Sequence, residues 1–208
     1  MVDQLKFPWT HDTELVIKQL GEKSSVLKML HLNEQEKYAK YDTYCYLPSI
    51  VLPLLIASLQ MYMEQGALDT EVFGPVLAGF NILSACIIGF TKQMKFSVKK
   101  DCHKTASIAY GKLYRKIIGE LAIKRKYRSE ANVLLPLVRD QFDACYERSP
   151  IISKATVRHF LRRIGSTELA LPDICNGLTP IEIAKNGTTP TSHFEYDHVI
   201  PKENELIV

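Results

Sequence analysis

The sequence predicts an all-α membrane protein: a two-helix transmembrane hairpin with flanking cytosolic helices and an irregular C-terminal tail. Two uncharged apolar stretches, residues 43–63 and 72–91, predict the hairpin. A helix needs roughly 20 apolar residues to cross a hydrocarbon core of about 30 Å. A soluble bundle with two buried core helices is the alternative. Two charge-free runs of full bilayer length favour the membrane.

The charges around the two stretches predict their orientation. The connecting residues 64–71 contain Glu64, Asp69 and Glu71 and no Lys or Arg. Lysines flank the stretches on their other sides; they are Lys37, Lys40, Lys92, Lys95, Lys99, Lys100 and Lys104. Short flanks rich in Lys and Arg stay in the cytosol. We therefore expect an integral membrane protein with both termini cytosolic.

Four regions follow along the chain: N-terminal cytosolic helices at 1–42, the hairpin at 43–91, a basic cytosolic helical region at 92–165 and an extended tail at 166–208. Asp12 is expected to cap a short helix that ends at Gly21. A second helix, capped by Ser24 or Ser25, is expected to run into the first span. Pro48 and Pro53 are expected to bend or break that span, because proline removes an amide donor.

The second half of the chain predicts three amphipathic helices. Apolar positions recur with helical spacing between residues 106 and 121; they are Ala106, Tyr110, Leu113, Ile117 and Leu121. Two further helices are expected near 131–147 and 153–164. After Gly165 the prolines and the run NGTTPTS indicate a mostly extended or partner-dependent tail.

Residues 92–128 carry twelve Lys or Arg against two acids, Asp101 and Glu120. One interpretation is a binding surface for anionic lipid or nucleic acid. The other is a solvated face that supplies the positive charge expected beside a span. Because the charges begin at the bilayer, the membrane surface is favoured over nucleic acid as a partner, with Lys92, Lys95, Lys99, Lys100 and Lys104 nearest to it.

Each span carries a stripe of small or polar residues. The second span has Gly74, Ala78, Asn81, Ala85 and Gly89 on one helical face, and the first has Ser49, Pro53, Ala57 and Gln60. Small residues let membrane helices approach closely, and polar side chains hydrogen-bond across the contact. The stripes could pack the hairpin or line a shared pore. Asn81 is expected to bond a carbonyl freed by Pro53, or the Asn81 of a second copy.

No catalytic or cofactor motif is found. The sequence lacks HExxH, a Walker A loop, GxSxG and any CxxC pair. His31 and His103 read as isolated. The tail sequence HFEYDHVIP contains a dipeptide like that of HNH nucleases and a cluster that could bind a metal, but a polar tail is the favoured interpretation; the cluster is His193, Glu195, Asp197 and His198. We therefore expect no enzymatic activity, no cofactor and no metal.

The layout resembles a known family. A leading helix enters a proline-containing span; an acidic turn, a second span and a basic helix follow. That last helix reads CHKTASIAYGKLYRKIIGELA, with His103 and Tyr110 seven apart. Residues 24–125 are similar in this layout to the SLATT family of two-transmembrane proteins. The resemblance implies a non-enzymatic membrane effector that oligomerises, a candidate pore former, often coupled to nucleotide-sensing partners.

A second hypothesis is a structural anchor. A two-pass protein with a long cytosolic extension could link a membrane to a protein scaffold or shell, as a minor membrane-associated virion protein does. The C-terminal half would then contact the shell protein.

Overall fold

A computed structural model of the chain describes residues 9–66, 69–165 and 168–177. These ranges contain no strand, which confirms the all-α class. The helices are α1 (His11–Glu64), α2 (Thr70–Met94), α3 (Phe96–Ala122), α4 (Ala131–Arg148), α5 (Lys154–Ile164) and α6 (Asp173–Asn176), with a short 3-10 turn at Arg125–Tyr127.

Helix α1 is continuous for 54 residues, a length of about 80 Å at 1.5 Å per residue. Thr10 caps it by accepting a hydrogen bond from the Thr13 amide. The prediction that a helix ends at Gly21 is wrong. A Cβ at Gly21 would lie 3.0 Å from Ile117 Cγ2, so this glycine permits close packing of α3 instead of ending a helix.

The two prolines in α1 do not break it. Pro48 and Pro53 both lie inside the helix. Each proline removes only its own amide from the helical ladder, so the turns on either side still hold the backbone together.

Helix α2 ends where the chain leaves the apolar stretch. Asp69 caps its start by accepting from the Glu71 amide at 3.0 Å. At its end Lys95 adopts a left-handed conformation with φ of 49°, the one non-glycine positive φ in the described ranges. This single residue separates α2 from α3 and lets α3 pack along the first half of α1.

The predicted apolar face of α3 is confirmed, since Ala106, Tyr110, Leu113 and Ile117 are buried. They contribute to a bundle of α1, α3, α4 and α5 with two apolar clusters. The cluster nearer the apolar hairpin comprises Val26, Leu27, Leu30, Tyr110, Ile152, Val157, Phe160 and Leu171. The cluster at the far end comprises Ile17, Leu113, Ile117, Leu134 and Val138.

The predicted helices at 131–147 and 153–164 are confirmed as α4 and α5. Helix α4 starts in the far cluster with Leu134 and Val138 and ends beside Tyr110, whose hydroxyl lies 3.4 Å from Ser149 Oγ. Ser153 caps α5, which then returns along α1 through Val157 and Phe160. The two helices are therefore antiparallel.

Part of the predicted tail folds onto the bundle. Leu171 is buried, and the Ala170 amide donates to Glu22 Oε2 at 2.9 Å. Lys23 and Asp173 form an ion pair at 3.5 Å. Residues 168–177 of the predicted tail therefore pack on the bundle, and within them only Asp173–Asn176 is helical. Residues 178–208, with the His193 to His198 cluster, lie outside the described ranges.

Candidate functional site in the apolar hairpin

The second half of α1 and the whole of α2 form an apolar hairpin whose side chains are mostly exposed. Only 6% of the most apolar 18-residue stretch of α1 is buried, and 11% of the corresponding stretch that begins in α2. Core helices of a soluble domain would be mostly buried. Both helices are long and apolar enough to cross a membrane.

The second half of α1 and helix α2 contact each other along a narrow seam. On α2, Leu77 and Ser84 are buried and Thr91 is half-buried. Because they are seven residues apart, they lie on one face of α2, as in the seven-residue repeat of packed helix pairs. On α1, Ile56 is buried. This seam is what holds the hairpin together within one chain.

The small-residue stripe of α2 lies beside the seam and not in it. Gly74 is half-buried, while Ala78, Asn81, Ala85 and Gly89 are exposed. The Asn81 amide makes no hydrogen bond to any residue that the structure describes, so the expected bond to a carbonyl freed by Pro53 is absent. Most of this stripe is therefore open to a second molecule.

The small-residue stripe of α1 is half-buried in one part and exposed in the other. Ser49 and Pro53 are half-buried, whereas Ala57 and Gln60 are exposed. Ser49 donates its hydroxyl to the Tyr46 carbonyl of its own helix at 2.6 Å. The stripe therefore does not form one contact surface along its length.

A polar cleft of about 470 Å³ brings members of both stripes together at the loop end of the hairpin. It is lined by Gln60, Met63, Glu64, Gly74, Leu77, Ala78 and Asn81. Ser49, Pro53, Ala57, Ala85 and Gly89 are not among its lining residues. Gln60, Glu64 and Asn81 therefore line the same cleft between two otherwise apolar helices.

A buried histidine pair lies in the helical bundle of α1, α3, α4 and α5, and sequence analysis did not predict it. His31 on α1 and His103 on α3 are 1% and 2% exposed, and their Nδ1 atoms are 2.9 Å apart. The expectation that both are isolated is wrong. The position of His103 on the apolar face of α3, seven residues before Tyr110, could have indicated that His103 is buried, although not that His31 is its partner.

Stacked rings enclose this pair. Tyr110 stacks on His31 at 5.6 Å between ring centroids, and Tyr38 stacks on His103 at 5.5 Å. Tyr38 also contacts Phe96, which contacts Phe90 of α2. A continuous row of rings therefore joins the core of the bundle to the end of the apolar hairpin opposite its connecting loop.

Glu34 is a buried carboxylate that fixes the start of α5. It is 0% exposed and accepts a hydrogen bond from the Ser153 amide at 2.9 Å and another from the Ser153 hydroxyl. Lys37 Nζ lies 3.4 Å from its other oxygen. Burial raises the pKa of Glu34, but hydrogen bonds from Ser153 and Thr156 outweigh it and the net pKa is lowered.

Most of the lysines that follow the apolar stretch of α2 are exposed, and Lys99 Nζ lies 5.8 Å from the centroid of the Tyr38 ring. Lys92, Lys95, Lys99 and Lys104 are exposed. Lys100 is half-buried and pairs with Asp42 of α1 at 2.9 Å, and this hydrogen bond raises the pKa of the lysine. Four of the five predicted surface lysines can therefore face a membrane, while the fifth joins α3 to α1.

The described residues form an all-helical protein with an exposed apolar hairpin. A small bundle with two apolar clusters and a few buried polar side chains is attached to the end of the hairpin opposite its connecting loop. Among the described residues no group of three or more metal-ligating side chains occurs. No family model matches the sequence, and neither a curated protein nor a solved structure matches it.

Proposed function

We propose that the chain is a two-pass integral membrane protein that self-associates through the small-residue stripe of α2 and acts as a SLATT-like membrane effector. It is a candidate pore former and not an enzyme. In this proposal residues 1–42 and 92–208 lie on the cytosolic side, and the lipid partners include anionic lipids.

One observation carries the proposal: the exposed stripe with the unpaired Asn81 amide. An amide without a hydrogen-bond partner in hydrocarbon costs several kcal/mol. The apolar surface of α1 and α2 favours insertion, so Asn81 would face this cost in a monomer. A second copy relieves it by pairing its own Asn81, and the small neighbours Ala78 and Ala85 allow the backbones to approach.

The lysines at the open end of the hairpin support the orientation. Lys92, Lys95, Lys99 and Lys104 are exposed, and each basic residue near an anionic surface contributes about 1 kcal/mol. Glu64 and Glu71 lie at the opposite end and are also exposed. The hairpin thus has one basic and one acidic end.

The test compares two glycines of α2. A Cβ at Gly89 or at Gly79 meets no atom within 4 Å, so leucine fits at either position in a single chain. Gly79 lies roughly 120° around the helix from the middle of the stripe. We expect Gly89→Leu to reduce the yield of crosslinked oligomer in membranes severalfold, and Gly79→Leu to leave it unchanged.

Asn81 gives a second comparison. Asn81→Leu should weaken the oligomer, and Asn81→Asp should weaken it more, because a carboxylate at mid-span costs roughly 2.5–3.5 kcal/mol on insertion scales. Equal crosslinking yields for wild type, Gly79→Leu, Gly89→Leu and Asn81→Leu would overturn self-association through this stripe. Release of the protein by alkaline carbonate would overturn membrane integration itself.

A structural anchor is the second candidate, and an open groove between α3 and α4 favours it. The groove has a volume of about 810 Å³, with Ala106, Leu113 and Cys145 among its apolar lining and Lys112 and Arg148 among its basic lining. Such a groove fits an acidic, partly apolar segment of a scaffold or shell protein. Ion flux through liposomes carrying the protein supports the effector, whereas stoichiometric co-purification with a shell protein supports the anchor.

A further inference from the structure

Ile151, in the turn between α4 and α5, is an apolar side chain held out in solvent. It is 91% exposed, the highest value among the large apolar residues that the structure describes. The turn around it is firmly held: Ile152 is buried, the Ser153 amide donates to Glu34, and the Ser149 hydroxyl donates to the Cys145 carbonyl. The exposure of Ile151 is therefore not that of a loose loop.

The course of α4 and α5 places this turn at the hairpin-facing end of the bundle. Helix α4 begins in the far cluster, where Val138 packs with Ile17, and runs toward the apolar hairpin. The Ser153 amide then donates to Glu34 of α1. Helix α5 runs back away from the hairpin, so that Phe160 packs with Val26. The residues between the two helices are therefore the part of this helix pair nearest to the apolar hairpin.

The distance between the α4–α5 turn and the predicted hydrocarbon boundary can be estimated from residue positions along α1. Glu34 precedes Thr43, the first residue of the predicted span, by nine residues, or about 14 Å of helix. Ile151 lies two residues before Ser153, and two extended residues reach about 7 Å. The tip can therefore come within about 7 Å of the hydrocarbon boundary, which is the depth of the headgroup layer on one side of a bilayer.

We propose that the α4–α5 turn is a membrane-surface contact that inserts Ile151 into the headgroup layer of the bilayer that the hairpin crosses. Two exposed cations flank it, Arg148 and Lys154, against one exposed acid, Glu147. An apolar tip between cations matches the surface of an anionic leaflet. This inference rests on the proposed transmembrane hairpin, and it fixes the bundle upright on the membrane.

The experiment uses tryptophan fluorescence in full-length protein. The chain has a single tryptophan, Trp9, whose indole donates to the Ser129 carbonyl at 3.0 Å at the far end of the bundle. Two variants are made in a Trp9→Phe background: Ile151→Trp, and Phe90→Trp within α2 as the membrane reference. Each is reconstituted into vesicles of phosphatidylcholine and phosphatidylglycerol, with or without bromine atoms near the top of the acyl chains.

We expect brominated lipid to quench the indole at position 151, with an emission loss of about two-fold, as for a side chain at the headgroup boundary. The indole at position 90 should be quenched too. Trp9 of the wild type lies about 50 Å along α1 from Thr43 and should keep its emission.

The other outcomes separate the two proposals. Quenching at position 90 but not at 151 overturns the surface contact and leaves the hairpin intact. Quenching at Trp9 as well as at 151 means that the bundle lies flat, which overturns the upright arrangement. No quenching at position 90 overturns the transmembrane hairpin, and the surface contact with it. Position 151 is so exposed that Ile151→Trp disturbs no packing.

Discussion

At the scale of single residues, the contact between His31 and His103 determines which protonation states of the two rings are compatible with the folded bundle. Their Nδ1 atoms are 2.9 Å apart, so one ring must donate a proton and the other must accept it. Two protonated rings would direct two N–H groups at each other in a buried site. Burial, followed by the charge of His103, lowers the pKa of His31 to about 4 from its ordinary 6.5.

This shift predicts acid destabilisation of the bundle. Between pH 6.5 and pH 4 the unfolded chain binds a proton at His31 that the folded chain does not. The free energy of unfolding therefore falls as the pH falls, by about 2 kcal/mol between pH 7 and pH 5. Thermal unfolding in detergent, followed by circular dichroism, should show a lower midpoint at the lower pH.

His31→Phe keeps a ring for Tyr110 to stack on and removes the titrating group. Its unfolding midpoint should depend less on pH than that of the wild type. His159→Gln is the matched control, because His159 is exposed on α5 and its loss should leave the pH dependence unchanged. An identical pH dependence in His31→Phe and wild type would contradict a role for this pair.

Sequence patterns could not reveal the histidine pair. The two residues are 72 positions apart, and helical periodicity identifies a face without showing which polar residue meets which across the core. Glu34 was missed for a similar reason. It is a buried acid because the amide of Ser153, at a distant helix start, gives it a partner.

At the scale of helices, packing determines the role of Gly21. The sequence predicted that this glycine ends a helix, whereas it lies inside α1 against α3. Gly21 is buried against Ile117, while Gly119 on α3 has nothing within 4 Å of an added Cβ. We expect Gly21→Val to lower the free energy of unfolding by about 1–3 kcal/mol, the usual cost of overpacking a core. Gly119→Val should change it little.

The measurement is the thermal unfolding midpoint of both variants in the same detergent. Ile117 is 1% exposed, so it cannot move aside without disturbing the far cluster. Equal midpoints for the two variants would show that α1 and α3 are not closely packed at this position.

The amphipathic helices were the most predictable elements. Helices α3, α4 and α5 each have an apolar face that the bundle buries, and periodicity detects such faces directly. The break at Lys95 and the folded segment 168–177 were not predictable in this way. The folded segment depends on contacts with α1, such as that of Ala170 with Glu22, which leave no local pattern in the sequence. The break depends on the left-handed conformation of Lys95, a residue that carries no turn signal such as glycine.

At the scale of the whole molecule, α1 belongs to two environments. Its first half is buried in the bundle by residues such as Ile17 and Leu30, and its second half exposes residues such as Leu54 and Met61. Since the helix is continuous, the orientation of the bundle is coupled to the direction in which α1 leaves the hairpin. The Lys100–Asp42 ion pair at this junction links α3 to the same helix.

The asymmetry of charge predicts the topology of the whole protein. Inverting the hairpin would move the exposed Lys92, Lys95 and Lys99 across the bilayer, against the positive-inside bias. A glycosylation acceptor carried on a flexible insertion after Gly66 should therefore be modified in microsomes. Acceptors inserted after Lys18 or after Gly165, both exposed, should remain unmodified. Modification after Gly165 together with none after Gly66 would mean that the bundle lies on the opposite side of the membrane. That result would contradict the prediction that the lysines face the cytosol.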